Sequence, residues 1–386
     1  MRTDTAPMID FTPADEIGRR VMFTPGPVTC SRTVLEAGAV DVGSWDSDTT
    51  DAVEECRNRL LAICHNRDDL AVTLLPGSGT YGVEAIMGSA VPQGGRILIL
   101  RNGMYGQRLV DIATELEIDH VIVDQPENMR HDAAAVAVAL TANPDVSHVV
   151  TCHCETTSGV LNRLDELGPV IARHGKRMLV DAMATFAGYE VGPGAPIDFD
   201  IAPIDHIVAS ANKCVQGVPG LSYIISRKDA LQRAAGNARS MSLDVAAQNE
   251  LMNKTGRFRY TPPTHALRSF LQALRELEAE GGVPARAQRY RENQQLAIER
   301  LGAIGIRPYV EAEHRSHVNT TFLYPTPDFD FIAFKDGLRA RGYIIFPQKV
   351  TKADTFRVGS IGNIGPAEVI GLTNAIAETL GLARPE

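Results

Sequence analysis

Short apolar runs with polar or glycine borders recur through the first two-thirds of the chain. They are Ala71-Val-Thr-Leu-Leu75, Arg96-Ile-Leu-Ile-Leu100, His120-Val-Ile-Val-Asp124, Ser147-His-Val-Val-Thr151, Arg177-Met-Leu-Val-Asp181, His206-Ile-Val-Ala-Ser210 and Leu221-Ser-Tyr-Ile-Ile225. Their length and β-branched content predict buried strands. Between most of them lie amphipathic stretches of helical period, from Tyr81 to Ala90, Gln107 to Leu116, Ala133 to Leu140 and Asp165 to His174. Strands alternating with helices imply an α/β fold with a mostly parallel seven-stranded sheet covered on both faces. Ligands of such sheets bind beyond the carboxyl ends of the strands.

The texture changes after about residue 265. Two long helical patterns, Ala266 to Glu280 and Ala285 to Leu301, precede a shorter stretch in which Thr320 to Tyr324, Ile344 to Phe346 and Thr355 to Val358 read as strands. The expected division is a polar N-terminal tail (1–21), a large domain (22–270) and a smaller C-terminal α+β domain (271–386). A chain of 386 residues exceeds what one core usually supports.

Composition narrows the function classes. A net charge of -9 offers no basic surface for nucleic acid or anionic membrane. No apolar run reaches membrane-spanning or signal-peptide length, which leads to the expectation of a cytoplasmic protein. The six cysteines (Cys30, Cys56, Cys64, Cys152, Cys154 and Cys214) follow no disulfide framework. Cys152-His-Cys154 lacks the second ligand pair that a tetrahedral zinc site needs.

Two charged residues stand at the polar ends of apolar runs: Asp181 after Met178-Leu-Val, and Lys213 after Ala209-Ser-Ala-Asn. Neither type is buried without a partner. An acid and a lysine at neighbouring strand ends suit pyridoxal phosphate. The lysine joins its aldehyde as a Schiff base, and the acid keeps the pyridine nitrogen protonated. Leu75-Pro-Gly-Ser-Gly-Thr80 is a glycine-rich turn into a helix, able to cradle a phosphate or simply to turn the chain. Tyr105, in Asn102-Gly-Met-Tyr-Gly106, is either a ring-stacking aromatic or a plain loop residue. In Cys152-His-Cys-Glu-Thr-Thr-Ser-Gly159, Thr156 has a hydroxyl for the cofactor's phenolic oxygen and Glu155 a carboxylate to orient neighbours; the alternative is a capped loop. Arg357 lies in an apolar run and needs an anion, either a ligand or Asp354.

Thr24-Pro-Gly-Pro-Val, Gly77-Ser-Gly-Thr, Asn102-Gly-Met-Tyr-Gly-Gln-Arg, His153-Cys-Glu-Thr-Thr-Ser-Gly, Val180-Asp-Ala-Met and Ser210-Ala-Asn-Lys-Cys-Val-Gln-Gly-Val-Pro-Gly follow one another in that order. In this the chain resembles the fold-type I pyridoxal-phosphate aminotransferases of the class V (alanine–glyoxylate) group, from about residue 22 to 380. Arg239-Ser-Met-Ser-Leu-Asp244, Arg259-Tyr-Thr-Pro-Pro-Thr-His265, Glu280-Gly-Gly-Val-Pro-Ala-Arg286 and Phe356-Arg-Val-Gly359 are similar to the branch that moves the amino group of 2-aminoethylphosphonate to pyruvate.

The resemblance implies that Lys213 carries the cofactor and shuttles the proton, with Asp181 on the pyridine nitrogen. Tyr105 and Met183 would take the two ring faces. Ser78, Gly79, Thr80 and Asn212 would hold the phosphate, joined by Tyr260 and Thr261 of a partner subunit in a homodimer. Arg357 would bind the substrate anion, with Pro25 and Gly26 beside it. Three segments depart from the pattern: Gly43-Ser-Trp-Asp-Ser-Asp-Thr-Thr50, Ala184-Thr185 and Gly359-Ser-Ile-Gly-Asn-Ile-Gly365. They leave open another small amine or amino acid as substrate, such as a modified aminophosphonate or an alanine–glyoxylate or serine–pyruvate pair. A lyase with a mobile-loop cysteine fits less well, because no cysteine follows Cys214. A non-catalytic binding protein has no need of Lys213, Asp181 and Arg357 together.

Overall fold

The computed structural model describes residues 20–349 and 352–385, so the segment read as a tail lies mostly outside the described residues. The apolar runs assemble into one sheet of β1 (Leu70–Pro76), β2 (Arg96–Arg101), β3 (Asp119–Asp124), β4 (Val146–Cys152), β5 (Arg177–Asp181), β6 (Ile204–Ser210) and β7 (Leu221–Arg227). Its spatial order is β1-β7-β6-β5-β4-β2-β3. The pairings of β2 to β6 with one another are parallel, and β7 runs antiparallel to both β1 and β6.

The alternation of side chains along each strand builds two cores. Leu98, Leu100 and Val180 face α1 (Ser47–Ile63), α4 (Ala133–Ala142), α5 (Leu164–Arg173) and α7 (Thr264–Ala279). Ile97, Ile99 and Leu179 face α2 (Gly79–Ala90) and α3 (Met104–Glu115). The outer edge of β1 is covered by α6 (Val245–Thr255). There Gln248 Nε2 donates to Leu74 O (3.3 Å), Asn249 Nδ2 to Val72 O (3.2 Å) and Arg57 Nε to Val72 O (2.9 Å).

A third core lies towards the C-terminus. It is built on β8 (Asn319–Leu323), β9 (Phe346–Lys349) and β10 (Asp354–Gly359), in the order β8-β10-β9. Phe322, Phe334, Phe356 and Leu372 fill it together with Phe23 from near the start of the chain. The single strand expected from Ile344 to Phe346 is divided. Tyr343–Ile344 pairs in parallel with Val21–Met22, Ile345 turns into the core, and Phe346 begins β9.

A buried ion cluster ties these parts together at the junction of α7 and α8 (Gly282–Ala303). Glu280 accepts from Arg286 Nε and Arg289 Nε, each at 2.7 Å. Arg286 Nη1 donates onward to the carbonyls of Cys214 and Val215 (both 3.1 Å), and Arg289 Nη1 to those of Gly362 (2.8 Å) and Ile364 (2.7 Å). The turn that carries Lys213 is thus fastened from behind.

A second buried carboxylate, Asp205 on β6, meets Arg177, Arg233 (2.9 Å) and His148 (3.6 Å). Burial alone would raise its pKa, but hydrogen bonds from His148, Arg177 and Arg233 outweigh it and hold the carboxyl well below the usual range. The stabilisation is therefore complete above the unfolded value of about 3.9 and is lost as pH falls through the folded one. Asp205→Asn is expected to lower the unfolding free energy by about 3 kcal/mol at neutral pH, since partly exposed arginines recover some hydration. Urea titrations carried from about pH 6 down past the unfolded value of about 3.9 check this: the acid-side loss of stability should be shallower in the variant.

Candidate active site

The strand order brings Asp181, the last residue of β5, beside β6, whose end leads three residues later to Lys213. Both line a cavity of about 160 Å³ at the carboxyl edge, with Ser78, Gly79 and Thr80 at the start of α2 and Tyr105 and Arg108 at the start of α3. Thr156, Met183, Ser210 and Asn212 complete much of the wall. A larger apolar hollow of about 580 Å³ lies elsewhere, among Ala62, Ile63, Val191, Leu274, Leu277 and Val283, and holds neither Lys213 nor Arg357.

The lysine amine is held, not free. Lys213 Nζ donates to Pro25 O (2.9 Å) and lies 3.5 Å from Gly26 O. Gly26 has no side chain because Lys213 occupies that space; a Cβ there would come within 2.3 Å of the lysine Cδ. Burial, reinforced by repulsion from Arg357, lowers the amine to about 8, against the opposing pull of Asp181. Asp181 is buried and accepts from the Met183 N–H at 2.9 Å. Burial raises its carboxyl, partly offset by that N–H and by the charges of Lys213 and Arg108.

At the other end of the cavity, Ser78 is the N-cap of α2 and its side chain makes no capping bond. The opening N–H groups of a helix have no intrahelical acceptor and attract an anion. Met183 packs directly on Gly79, where any Cβ would strike its sulfur. Arg108 reaches across from α3, with Nη1 3.3 Å from Thr80 Oγ1 and its guanidinium 4.8 Å from the Tyr105 ring centre. The hydroxyl of Ser210 is buried on the wall with no hydrogen-bond partner among the described residues.

Arg357 enters from β10. Its guanidinium is buried, donates from Nη1 to Thr156 O (2.7 Å) and faces the Tyr105 hydroxyl, while Nε has no hydrogen-bond partner among the described residues. Asp354 lies three residues back on the opposite face of the same strand and is exposed, so the expected alternative of an Arg357–Asp354 ion pair does not form. Cys152 and Cys154 also reach the cavity, but burial raises both thiols, Cys154 to about 12. Among the described residues no cluster of His, Cys, Asp or Glu is arranged to hold a metal.

Tyr260 and Thr261 lie outside this cavity, on the exposed surface of the same chain. Trp45, in the departing loop, is also exposed, with Arg257 stacked 4.3 Å from its ring centre. Of the other departures, Thr185 receives or donates a hydrogen bond with His153 Nδ1 (2.9 Å), and Gly359 packs on the Thr24 backbone. Arg108 and Ser210 belong to sequence motifs that assign them no role. The signal for Arg108 was its spacing of three from Tyr105, which places both on one helical face.

Comparison with known proteins bears on the family and the fold. The family model described as Aminotransferase class-V matches residues 35–330. A 2-aminoethylphosphonate–pyruvate transaminase of Bacteroides fragilis (strain YCH46) is 43% identical over 362 residues, covering 93% of this chain and 98% of that protein. One from Bacillus mycoides is 39% identical over 360 residues, 93% of this chain and 97% of its own. Among solved structures, a pyridoxamine–pyruvate aminotransferase from Mesorhizobium loti shares the fold with a TM-score of 0.84 at 22% identity, covering 95% of this chain and 93% of that one. With the family model spanning most of its length and relatives of 43% and 39% identity covering nearly all of it, the chain belongs to the class-V aminotransferases.

Proposed function

We propose that this chain is a pyridoxal-phosphate enzyme that transfers the amino group of 2-aminoethylphosphonate to pyruvate, giving phosphonoacetaldehyde and L-alanine. The observation that carries the reading is one cavity in which Lys213, Asp181 and the helix start at Ser78–Thr80 converge, with Arg357 beside it. Relatives named for this reaction at 43% and 39% identity support the choice of substrates.

The residues fit the cofactor. The open N–H groups of α2, Thr80, Asn212 and Arg108 suit a phosphate, and the unpartnered Ser210 hydroxyl suits a polar group there. Tyr105 and Met183 stand on the cavity walls as ring contacts, and Thr156 as a hydrogen-bond partner. Pyridoxal phosphate, when bound, supplies an aldehyde that condenses with amines and a ring that accepts the electron pair of a broken C–H bond. With the cofactor bound, Asp181 would keep a proton on its ring nitrogen, and burial would strengthen that ion pair. Lys213 would hold the aldehyde, and its amine would be the base that moves the proton of the carbon bearing nitrogen. The Pro25 and Gly26 carbonyls give its ammonium a resting place. Arg357 receives the phosphonate of the donor and the carboxylate of pyruvate in turn, with Nε unpartnered for the purpose.

A homodimer completes the reading. Exposed Tyr81, Met104, Met241 and Tyr260 are apolar surface that a second copy would cover, delivering its Tyr260 and Thr261 to the phosphate end. The division at about residue 270 is read as separating the cofactor-binding part from a smaller part that contributes Arg357. Among the described residues no helix is long and apolar enough to cross a membrane. The six cysteines are buried and form no disulfide, the pattern of a reducing compartment such as the cytoplasm.

Adding 2-aminoethylphosphonate without pyruvate should bleach the visible absorbance of the lysine-bound cofactor, and pyruvate should restore it; Lys213→Ala should lack that absorbance. A spectrum that ignores this amine but responds to alanine or serine would reassign the substrate. Arg357→Ala is expected to raise KM for both substrates roughly 10- to 100-fold, the equivalent of about 1.5–3 kcal/mol for hydrogen bonds to a charged group. An unchanged KM for either would remove Arg357 from the site. The half-reaction with pyruvate starts with Lys213 free, and only its neutral form is a base. Its single-turnover rate should rise as pH increases towards about 8 and level off above.

A further inference from the structure

Glu155 is completely buried, yet its carboxylate is not paired with any cation among the described residues. It follows β4 in the short strand Cys154–Glu155, held by pairing with Val160–Leu161. Oε2 accepts from the N–H groups of Tyr105 (3.0 Å) and Gly106 (3.1 Å), and Oε1 from the N–H (3.3 Å) and hydroxyl of Thr157. Burial raises this carboxyl above its ordinary range, and the hydrogen bonds from Thr157, Gly106 and Tyr105 pull it back; all four donors are satisfied together only by the ionised group, an acceptor at both oxygens. Gly103 makes the approach possible: a Cβ there would lie 2.4 Å from the carboxylate carbon.

The turn that Glu155 grips carries Tyr105. The Tyr105 hydroxyl faces Arg357, and Arg357 donates to the carbonyl of Thr156, the residue after Glu155. The contacts therefore close a ring: Glu155 to the Tyr105 backbone, Tyr105 to Arg357, and Arg357 back to the loop beside Glu155. We propose that Glu155 is a positioning residue, which fixes Tyr105 against the cofactor and through it sets the place of Arg357 at the substrate anion. Helix capping alone does not account for this arrangement. An exposed side chain at position 103 would cap α3 without burying a charge.

The inference rests on the functional reading above, and the test separates the two. Purified holoenzyme is compared for wild type, Glu155→Gln, Tyr105→Phe and the double variant. The amide turns one pair of donors towards an NH₂ group while keeping the shape. Glu155→Gln should change the visible circular dichroism of the bound cofactor and raise KM for both substrates about tenfold, as expected for losing one charge-assisted hydrogen bond. kcat should change much less. In the Tyr105→Phe background, where the link to Arg357 is already cut, Glu155→Gln should add less than about twofold to KM. Equal multiplicative effects in both backgrounds, or unchanged KM and dichroism, would overturn the proposal. Thr157→Val removes one donor without touching the fold of the loop. It should give the same signature at smaller amplitude if Glu155→Gln does not fold, and an unmoved spectrum and KM there would overturn the proposal too. Dichroism does not depend on which amine the enzyme uses. A wild type inert to 2-aminoethylphosphonate would therefore sink the functional reading while leaving Glu155 testable.

Discussion

Glu280 has little access to water, and burial alone would push its carboxyl up; Arg286 and Arg289 reverse that and keep it charged. The same two arginines have their remaining N–H groups spoken for by backbone carbonyls. Two of those carbonyls, on Cys214 and Val215, directly follow Lys213; the others, on Gly362 and Ile364, belong to the segment after β10, the strand that carries Arg357. Removing one member of such a cluster leaves a buried charge alone, at a cost of several kcal/mol. The cluster therefore acts as a fixed point. The lysine turn, the helix pair α7–α8 and the arginine-bearing strand are all referenced to it, and small errors in one are not absorbed by the others.

Fixed geometry matters because the site works by opposed charges at short range. Burial and the charge of Arg357 lower the Lys213 amine to about 8 against the pull of Asp181, so a usable fraction is neutral near physiological pH. An amine that stayed fully protonated would be a poor base, and one without neighbouring carbonyls would wander. Two strand ends, one glycine-sized gap at Gly26 and one guanidinium settle both matters.

The strands, and with them the positions of Asp181 and Lys213, were readable from the sequence because buried parallel strands must be continuous apolar runs. Their polar ends then stand out. Ile344 to Phe346 misled because three apolar residues carry no information on which partner each finds. There, pairing with Val21–Met22 decided the outcome. Arg357 was legible as a buried cation in search of an anion, but the neighbour offered by sequence, Asp354, points the other way in a pleated strand. Glu280 and Arg286 were visible as part of a motif, yet their purpose depends on Cys214 and Val215, some seventy residues earlier. Long-range side-chain contacts of this kind leave no periodicity. Tyr260 and Thr261 stand on the exposed surface, apart from the cavity, and nothing in their local sequence marks them.

The covering of β1 has a consequence for how these molecules meet. A sheet whose last strand offers bare carbonyls can recruit a strand from a neighbour and grow without limit. Here the amides of Gln248 and Asn249 and the guanidinium of Arg57 already occupy the carbonyls of Val72 and Leu74. Polymerisation through that rim would require α6 to be peeled away first.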